Sequence, residues 1–127
     1  MRLLFDTHIL LWLAADMLPD SAAEYIFPPS NSLLFSSASI WEVVIKYGLH
    51  SADFDVDPHM LYRGLLENGY EQLDITVKHT LLTGTMPMIH KDPFDRILLA
   101  QAISENIPLL TADSILAKYS APVILIK

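Results

Sequence analysis

The sequence predicts an α/β domain with a central, mainly parallel sheet of four to five strands and helices on both faces. Three observations carry this expectation. Short apolar runs recur along the chain, each too short for a helix and bounded by turn-forming or capping residues. Between them lie longer stretches with helical spacing, opened by Asp-Thr, Asp-Ser or Asp-Pro pairs. The alternation of the two is the signature of crossover units, whose buried strands read as continuous apolar runs.

In order, Arg2-Leu3-Leu4-Phe5 reads as a first strand. Asp6-Thr7 then opens a helix through Ile9, Leu10, Trp12 and Leu13. Asp20-Ser21 starts a second helix, which Pro28-Pro29 ends. Leu33-Leu34-Phe35 is a second strand, and Ser36 to Ser39 leads into a helix running to Gly48, a C-cap candidate. Asp57-Pro58 caps a helix that stops near Gly69. Gln72 to Ile75 is a third strand, and Thr76 caps a helix that fades at Gly84. Asp92-Pro93 begins a strongly apolar helix through Phe94, Ile97, Leu98, Leu99, Ala102 and Ile103. Pro108 to Thr111 is a strand, Ser114 to Lys118 a short helix and Val123 to Ile126 the last strand. No repeat, linker or low-complexity tract interrupts the series, so the expectation is one domain over residues 1–127.

Composition narrows the function classes. At 52% hydrophobic and 18% charged residues, the chain buries a core and is not disordered. It has no cysteine, which excludes a disulfide scaffold and a thiolate metal site and suits a reducing cytoplasm. The net charge of −7 argues against a broad basic face for nucleic acid. It is compatible with acids gathered around a cation and with a basic partner protein. The apolar run Ile9 to Ala15 follows Met1-Arg2 as in a leader, but Asp6 and His8 interrupt it and no small-residue cleavage site follows. No stretch is long and apolar enough to span a membrane.

Four acids stand just beyond the predicted strand ends. Asp6 directly follows the first strand, and Glu42 lies in the first turn after the second. Asp95 lies in the first turn of the helix after the Met86–Lys91 loop, and Asp113 comes two residues after Pro108–Thr111. Each has a local explanation. Asp6 and Asp113 fit N-caps, Ser39-x-x-Glu42 fits a capping box, Glu42 can pair with Lys46, and Asp95 suits a helix dipole. Capping, however, does not require several acids on one edge of one sheet. Converging carboxylates raise each other's pKa, and a divalent cation relieves the repulsion. Oxygen ligands without cysteine point to Mg²⁺ or Mn²⁺ rather than zinc.

These residues resemble the PIN-domain family, and within it the VapC-type toxins of bacterial toxin–antitoxin pairs. The likeness spans nearly the whole chain. It rests on Leu3-Leu4-Phe5-Asp6-Thr7-His8, Ser36-Ser37-Ala38-Ser39-Ile40-Trp41-Glu42, His90-Lys91-Asp92-Pro93-Phe94-Asp95-Arg96 with Leu98-Leu99-Ala100-Gln101-Ala102, and Leu109-Leu110-Thr111-Ala112-Asp113. The resemblance implies a three-layer α/β/α fold and a metal-dependent endoribonuclease that hydrolyses RNA phosphodiester bonds. It maps the acidic site onto Asp6, Glu42, Asp95 and Asp113, with Asp6 and Asp95 as central ligands. One ion or two fit equally at this point.

Asp92 fits an N-cap before Pro93 as well as a ligand. Thr7, Ser39 and Thr111 accompany three of the acids, as orienting hydroxyls or as local caps. Lys46, Lys91 and Arg96 are candidate phosphate contacts, with Arg96 favoured because it adjoins Asp95. His8 and His90 flank the site, and Trp12 and Trp41 read as core or interface residues. Asp53-x-Asp55-x-Asp57 fails as a calcium loop, since Pro58 and Gly64 stand where a glycine and a glutamate are needed.

The mean hydropathy of +0.35 predicts that the helix bearing Leu10, Leu11, Trp12 and Leu13 packs on another chain. The resemblance implies a homodimer and a separate VapB-like antitoxin covering the site. Two other readings remain open. One is an aspartate-nucleophile phosphatase, although His8 stands where that class has a second aspartate. The other is a non-catalytic module that keeps the fold and binds RNA or protein.

Overall fold

The computed structural model describes residues 1–50 and 54–126. The elements run β1 (Arg2–Phe5), α1 (Thr7–Ala14), α2 (Asp20–Ile26), β2 (Ser32–Ser36), α3 (Ser37–Gly48), α4 (Pro58–Glu67), β3 (Glu71–Leu73), α5 (Val77–Thr83), α6 (Pro93–Glu105), β4 (Leu109–Thr111) and β5 (Val123–Leu125). A 3₁₀ turn, Leu116–Lys118, stands where a short helix from Ser114 was expected. The third strand is also shorter than expected and begins one residue earlier.

The five strands lie in the order β3-β2-β1-β4-β5, and every pairing is parallel. Parallel neighbours bury the central strand on both faces, so Leu3, Leu4 and Phe5 are all fully enclosed. Successive side chains serve opposite faces. Leu3, Phe5, Phe35 and Leu110 pack with Ile9 and Leu10 of α1, Ala22 and Ile26 of α2, and Leu61 and Leu65 of α4. Leu4, Leu34 and Leu109 pack with Leu98, Leu99 and Ala102 of α6. Each enclosed leucine contributes roughly 1.5–3 kcal/mol over an exposed one. The result is the three-layer α/β/α arrangement.

Helix ends follow local chemistry. Asp57 accepts hydrogen bonds from the His59 and Met60 amides and so caps α4, with Pro58 behind it. Asp53, the first acid of the rejected calcium-loop pattern, lies outside the described residues. The capping box belongs to α5. Thr76 Oγ1 accepts from the His79 amide, while His79 Nδ1 accepts from the Thr76 amide. Because Nδ1 accepts, the proton sits on Nε2, which lies 3.1 Å from Glu105 Oε2 and ties α5 to the end of α6. That hydrogen bond holds the Glu105 carboxyl below its usual range.

Three expectations need correction. Ser39 does not cap α3: Ser36 does, through the Ala38 amide, because α3 begins directly at the end of β2. Gly48 is the last residue of α3 rather than its cap, and the left-handed residue beyond it is His50, at φ 55°. Leu10 and Leu11 are buried in this chain's own core, with Trp12 and Leu13 packed against it. The first part of the α1 run is therefore spent on this chain's own core, while Trp12 and Leu13 stay partly exposed.

The sheet order decides where a site can form. From β1 the chain moves out through β2 and β3, then returns to place β4 and β5 on the other side of β1. The reversal lies between β1 and β4, and ligands of open α/β sheets bind beyond the carboxyl ends at that point.

Candidate functional site

Asp6 follows β1 at this reversal and is only 3% exposed. It stands at the N-cap position of α1, yet its side chain makes no cap bond there. Instead Oδ2 accepts a 2.6 Å hydrogen bond from the Thr111 hydroxyl at the end of β4. The other oxygen, Oδ1, is buried with no partner. Burial drives the Asp6 carboxyl above its usual range, against the lowering effects of Thr111 and His8, and the charge of Glu42 adds to the rise.

Glu42 projects from the first half of α3 and is 2% exposed. Lys46, one turn on, donates to Oε2 at 2.6 Å, while Oε1 is buried without a partner. The Lys46 ammonium also lies over the Phe54 ring at 4.6 Å and near the Phe94 ring at 6.0 Å. Burial alone would lower the Lys46 pKa. The hydrogen bond and charge of Glu42, with Asp92 and Asp95 behind it, outweigh burial and raise it.

Asp95 and Asp113 meet at His90. His90 Nε2 lies 2.8 Å from Asp113 Oδ2 and 3.3 Å from Asp95 Oδ2. One ligand-type atom from each of the three falls within 4.8 Å of the others. His90 Nδ1 accepts from the Asp92 amide, which places the neutral ring's proton on Nε2, facing the two carboxylates. Thr111 Oγ1 accepts from the Asp113 amide, so one hydroxyl serves both Asp6 and Asp113. The Asp95 carboxyl is pushed up to about 8, first by burial and then by the charges of Asp6, Asp92, Glu42 and Asp113. Asp95 therefore feels all three other acids singled out in the sequence.

The remaining candidates divide. Asp92 is the N-cap of α6 and accepts from the Phe94 amide, so one of its oxygens is spent on the backbone. Thr7 and Ser39 are buried and hydrogen-bond to each other at 2.9 Å, locking α1 to α3; of the three hydroxyls only Thr111 bonds a site carboxylate. Arg96 corrects an expectation. Its guanidinium is buried and bonded to the carbonyls of Thr83, Met86, Pro87 and His90 and to the Tyr119 hydroxyl, rather than presented to a substrate. It is a clamp on the loop that delivers His90. His8 is exposed and packs edge-on against Phe54. Trp41 is 59% exposed and rests edge-on against Phe94, so it is no core residue.

The donor set is carboxylate-rich, with one imidazole and no thiolate. Two buried, unpartnered carboxylate oxygens lie together with Asp95, an acid held near 8 by burial and by the neighbouring carboxylates. That chemistry fits a hard divalent cation.

Comparison with known proteins adds the ancestry. The family model described as PIN domain matches residues 3–122. The chain belongs to the PIN domain family. No curated protein sequence matches it significantly. Among solved structures, it resembles VapBC2 from Rickettsia felis bound to a promoter DNA fragment, with a TM-score of 0.73 and 19% identity over 99% of this chain and 98% of that one. DNA-bound VapBC from Salmonella typhimurium follows the same fold at a TM-score of 0.68 and 16% identity, covering 98% of this chain and 97% of that one. VapBC-1 from nontypeable Haemophilus influenzae does so at 0.61 and 22%, covering 90% and 88%.

Proposed function

We propose that this PIN-domain chain is a divalent-cation-dependent endoribonuclease, the toxin of a toxin–antitoxin pair. The observation that carries the reading is the buried acid cluster at the β1–β4 reversal. Asp6 Oδ1 and Glu42 Oε1 lack partners there, and Asp95 is lifted by burial and then by the charges of Asp6, Asp92, Glu42 and Asp113. Burying carboxylate oxygens without partners costs a fold stability, whereas a metal site makes use of them.

Asp6 and Asp95 are the central ligands in this proposal, with Glu42 and Asp113 completing the set and Mg²⁺ or Mn²⁺ as the ion. A bound divalent ion supplies Lewis acidity toward a phosphodiester and makes water a stronger acid. The chain's own residues set the stage. Thr111 fixes the Asp6 carboxylate so that Oδ1 stays free, and it holds the Asp113 backbone. His90 gathers Asp95 and Asp113. A cation held beside Asp95 would favour its ionised form.

The partner proposal comes from the solved structures, whose names describe VapBC assemblies and, for one, a toxin–antitoxin complex. A VapB-like antitoxin with a basic segment suits the negative site. A second copy of the chain suits the exposed face of α3, where Trp41, Val44 and Ile45 form a stripe that continues into Leu49. No helix among the described residues is long and apolar enough to cross a membrane, and we place the chain in the cytoplasm with its RNA substrate.

The test is direct. Purified protein is incubated with structured and single-stranded RNA in Mn²⁺, in Mg²⁺ and in EDTA. Internal cleavage with metal, none with EDTA, and none for Asp6→Asn is the expected outcome. Absence of cleavage with either ion, alongside RNA binding, would assign the chain to a non-catalytic module.

A further inference from the structure

We propose that Lys46 is the built-in second cation of this site: its ammonium takes the role of a second metal ion, so the chain holds one divalent ion and presents the lysine to a phosphate oxygen of the substrate. The inference rests on the metal-dependent nuclease reading and says how that site is charged.

Several observations lead to it. Lys46 Nζ is 2.6 Å from Oε2 of Glu42, a side chain only 3% exposed, and so offsets the one proposed carboxylate that α3 supplies. The Lys46 side chain itself is 29% exposed, so its head is reachable from solvent while its partner is not. Phe54 and Phe94 flank the ammonium and fix its place without supplying a competing acceptor. Two other cationic groups close to the cluster are committed elsewhere. Arg96 is bonded to loop carbonyls, and His90 is held between Asp95 and Asp113. An anionic phosphodiester approaching a chain of net charge −7 is drawn to the Lys46 ammonium beside Glu42, with the exposed Lys91 next to His90 as a further cation near the site. In two-metal sites the second ion stabilises the leaving oxygen, and a fixed ammonium supplies part of that positive charge at the same place.

The test counts ions. Isothermal titration and Mn²⁺ electron paramagnetic resonance on the full chain are expected to give one ion per wild-type chain. Lys46→Met keeps the stem beside Phe54 and Phe94 but removes the charge, and it is expected to bind a second ion beside Glu42. Its cleavage rate should fall by about 100-fold at Mn²⁺ levels that fill one site. The rate should recover at least tenfold as the second site fills. If Lys46→Met does not fold, Lys46→Gln, which can still hydrogen-bond Glu42, carries the same readouts. Two ions on the wild-type chain overturn the proposal while leaving the nuclease reading intact. So does a variant that still binds one ion with unchanged affinity. A wild-type chain that binds no ion sinks the metal reading itself, and this inference with it.

Discussion

Asp95→Asn is expected to abolish RNA cleavage and, in the same molecule, to make the metal-free protein more stable. The loss of activity follows from removing a central ligand and should reach roughly 10²–10³-fold or more. The gain in stability follows from the sign of the pKa shift. Asp95 titrates at about 8 in the folded chain, against 3.8 for an ordinary aspartate. Between those values the folded state keeps a proton that the unfolded state has released. Stability therefore falls as pH rises, with the loss accumulating from near pH 4 and complete once pH passes the folded value. Asp6 is raised in the same direction and adds to the slope. An asparagine cannot ionise, so the variant escapes the Asp95 part of the loss. The expected gain at pH 8 in EDTA is about 0.5–2 kcal/mol, or roughly 2–6 °C in Tm. Thermal melts of both proteins at pH 5 and pH 8 check this. Equal pH slopes would show that Asp95 does not carry the strain.

Arg96→Ala should be the most destabilising substitution at the site, at about 3–5 kcal/mol. The guanidinium binds four carbonyls of the 83–90 segment and the Tyr119 hydroxyl, and that hydroxyl in turn donates to the Pro87 carbonyl and accepts from the His90 amide. Removing the fan leaves partly buried acceptors unsatisfied and frees the loop that brings His90 to Asp113 and Asp95. Arg96→Lys is expected to recover little, because one ammonium cannot span acceptors arranged for a planar fork. Urea unfolding gives the stability. A variant as stable as wild type would refute the clamp, and an unchanged Mn²⁺ affinity in a folded variant would separate the loop from the site.

Much of this was legible in the sequence, for identifiable reasons. The order of strands and of helices α1 to α6 could be read because each strand is a short apolar run and most helices open on a capping residue. Asp57, Thr76 and Asp92 cap the helices they were expected to cap. Asp6, Glu42 and Asp113 could be placed on one edge because each follows a strand end and parallel sheets align those ends, while Asp95 was placed there by the start of the helix that leads into the fourth strand. What stayed hidden depends on long-range packing. Arg96 looks like a phosphate ligand from its place beside Asp95, but the 83–90 segment folds back to take its guanidinium. Leu10 and Leu11 look like interface residues, but α1 lies across a sheet that buries both of them. His90 reads as a flanking loop residue, and its contacts with Asp95 and Asp113 appear only once β4 brings Asp113 beside α6. Trp41 fits a buried helix face by spacing, whereas the fold leaves it exposed against Phe94.

The central claim is that carboxylates distant in sequence share a divalent ion beyond the ends of β1 and β4. Anomalous diffraction from a crystal soaked in Mn²⁺ addresses it most directly. The account predicts a manganese peak in contact with both Asp6 and Asp95, with Glu42 and Asp113 lining the same pocket. A fully soaked crystal with no peak among these four side chains, or with manganese bound only elsewhere on the surface, would contradict it.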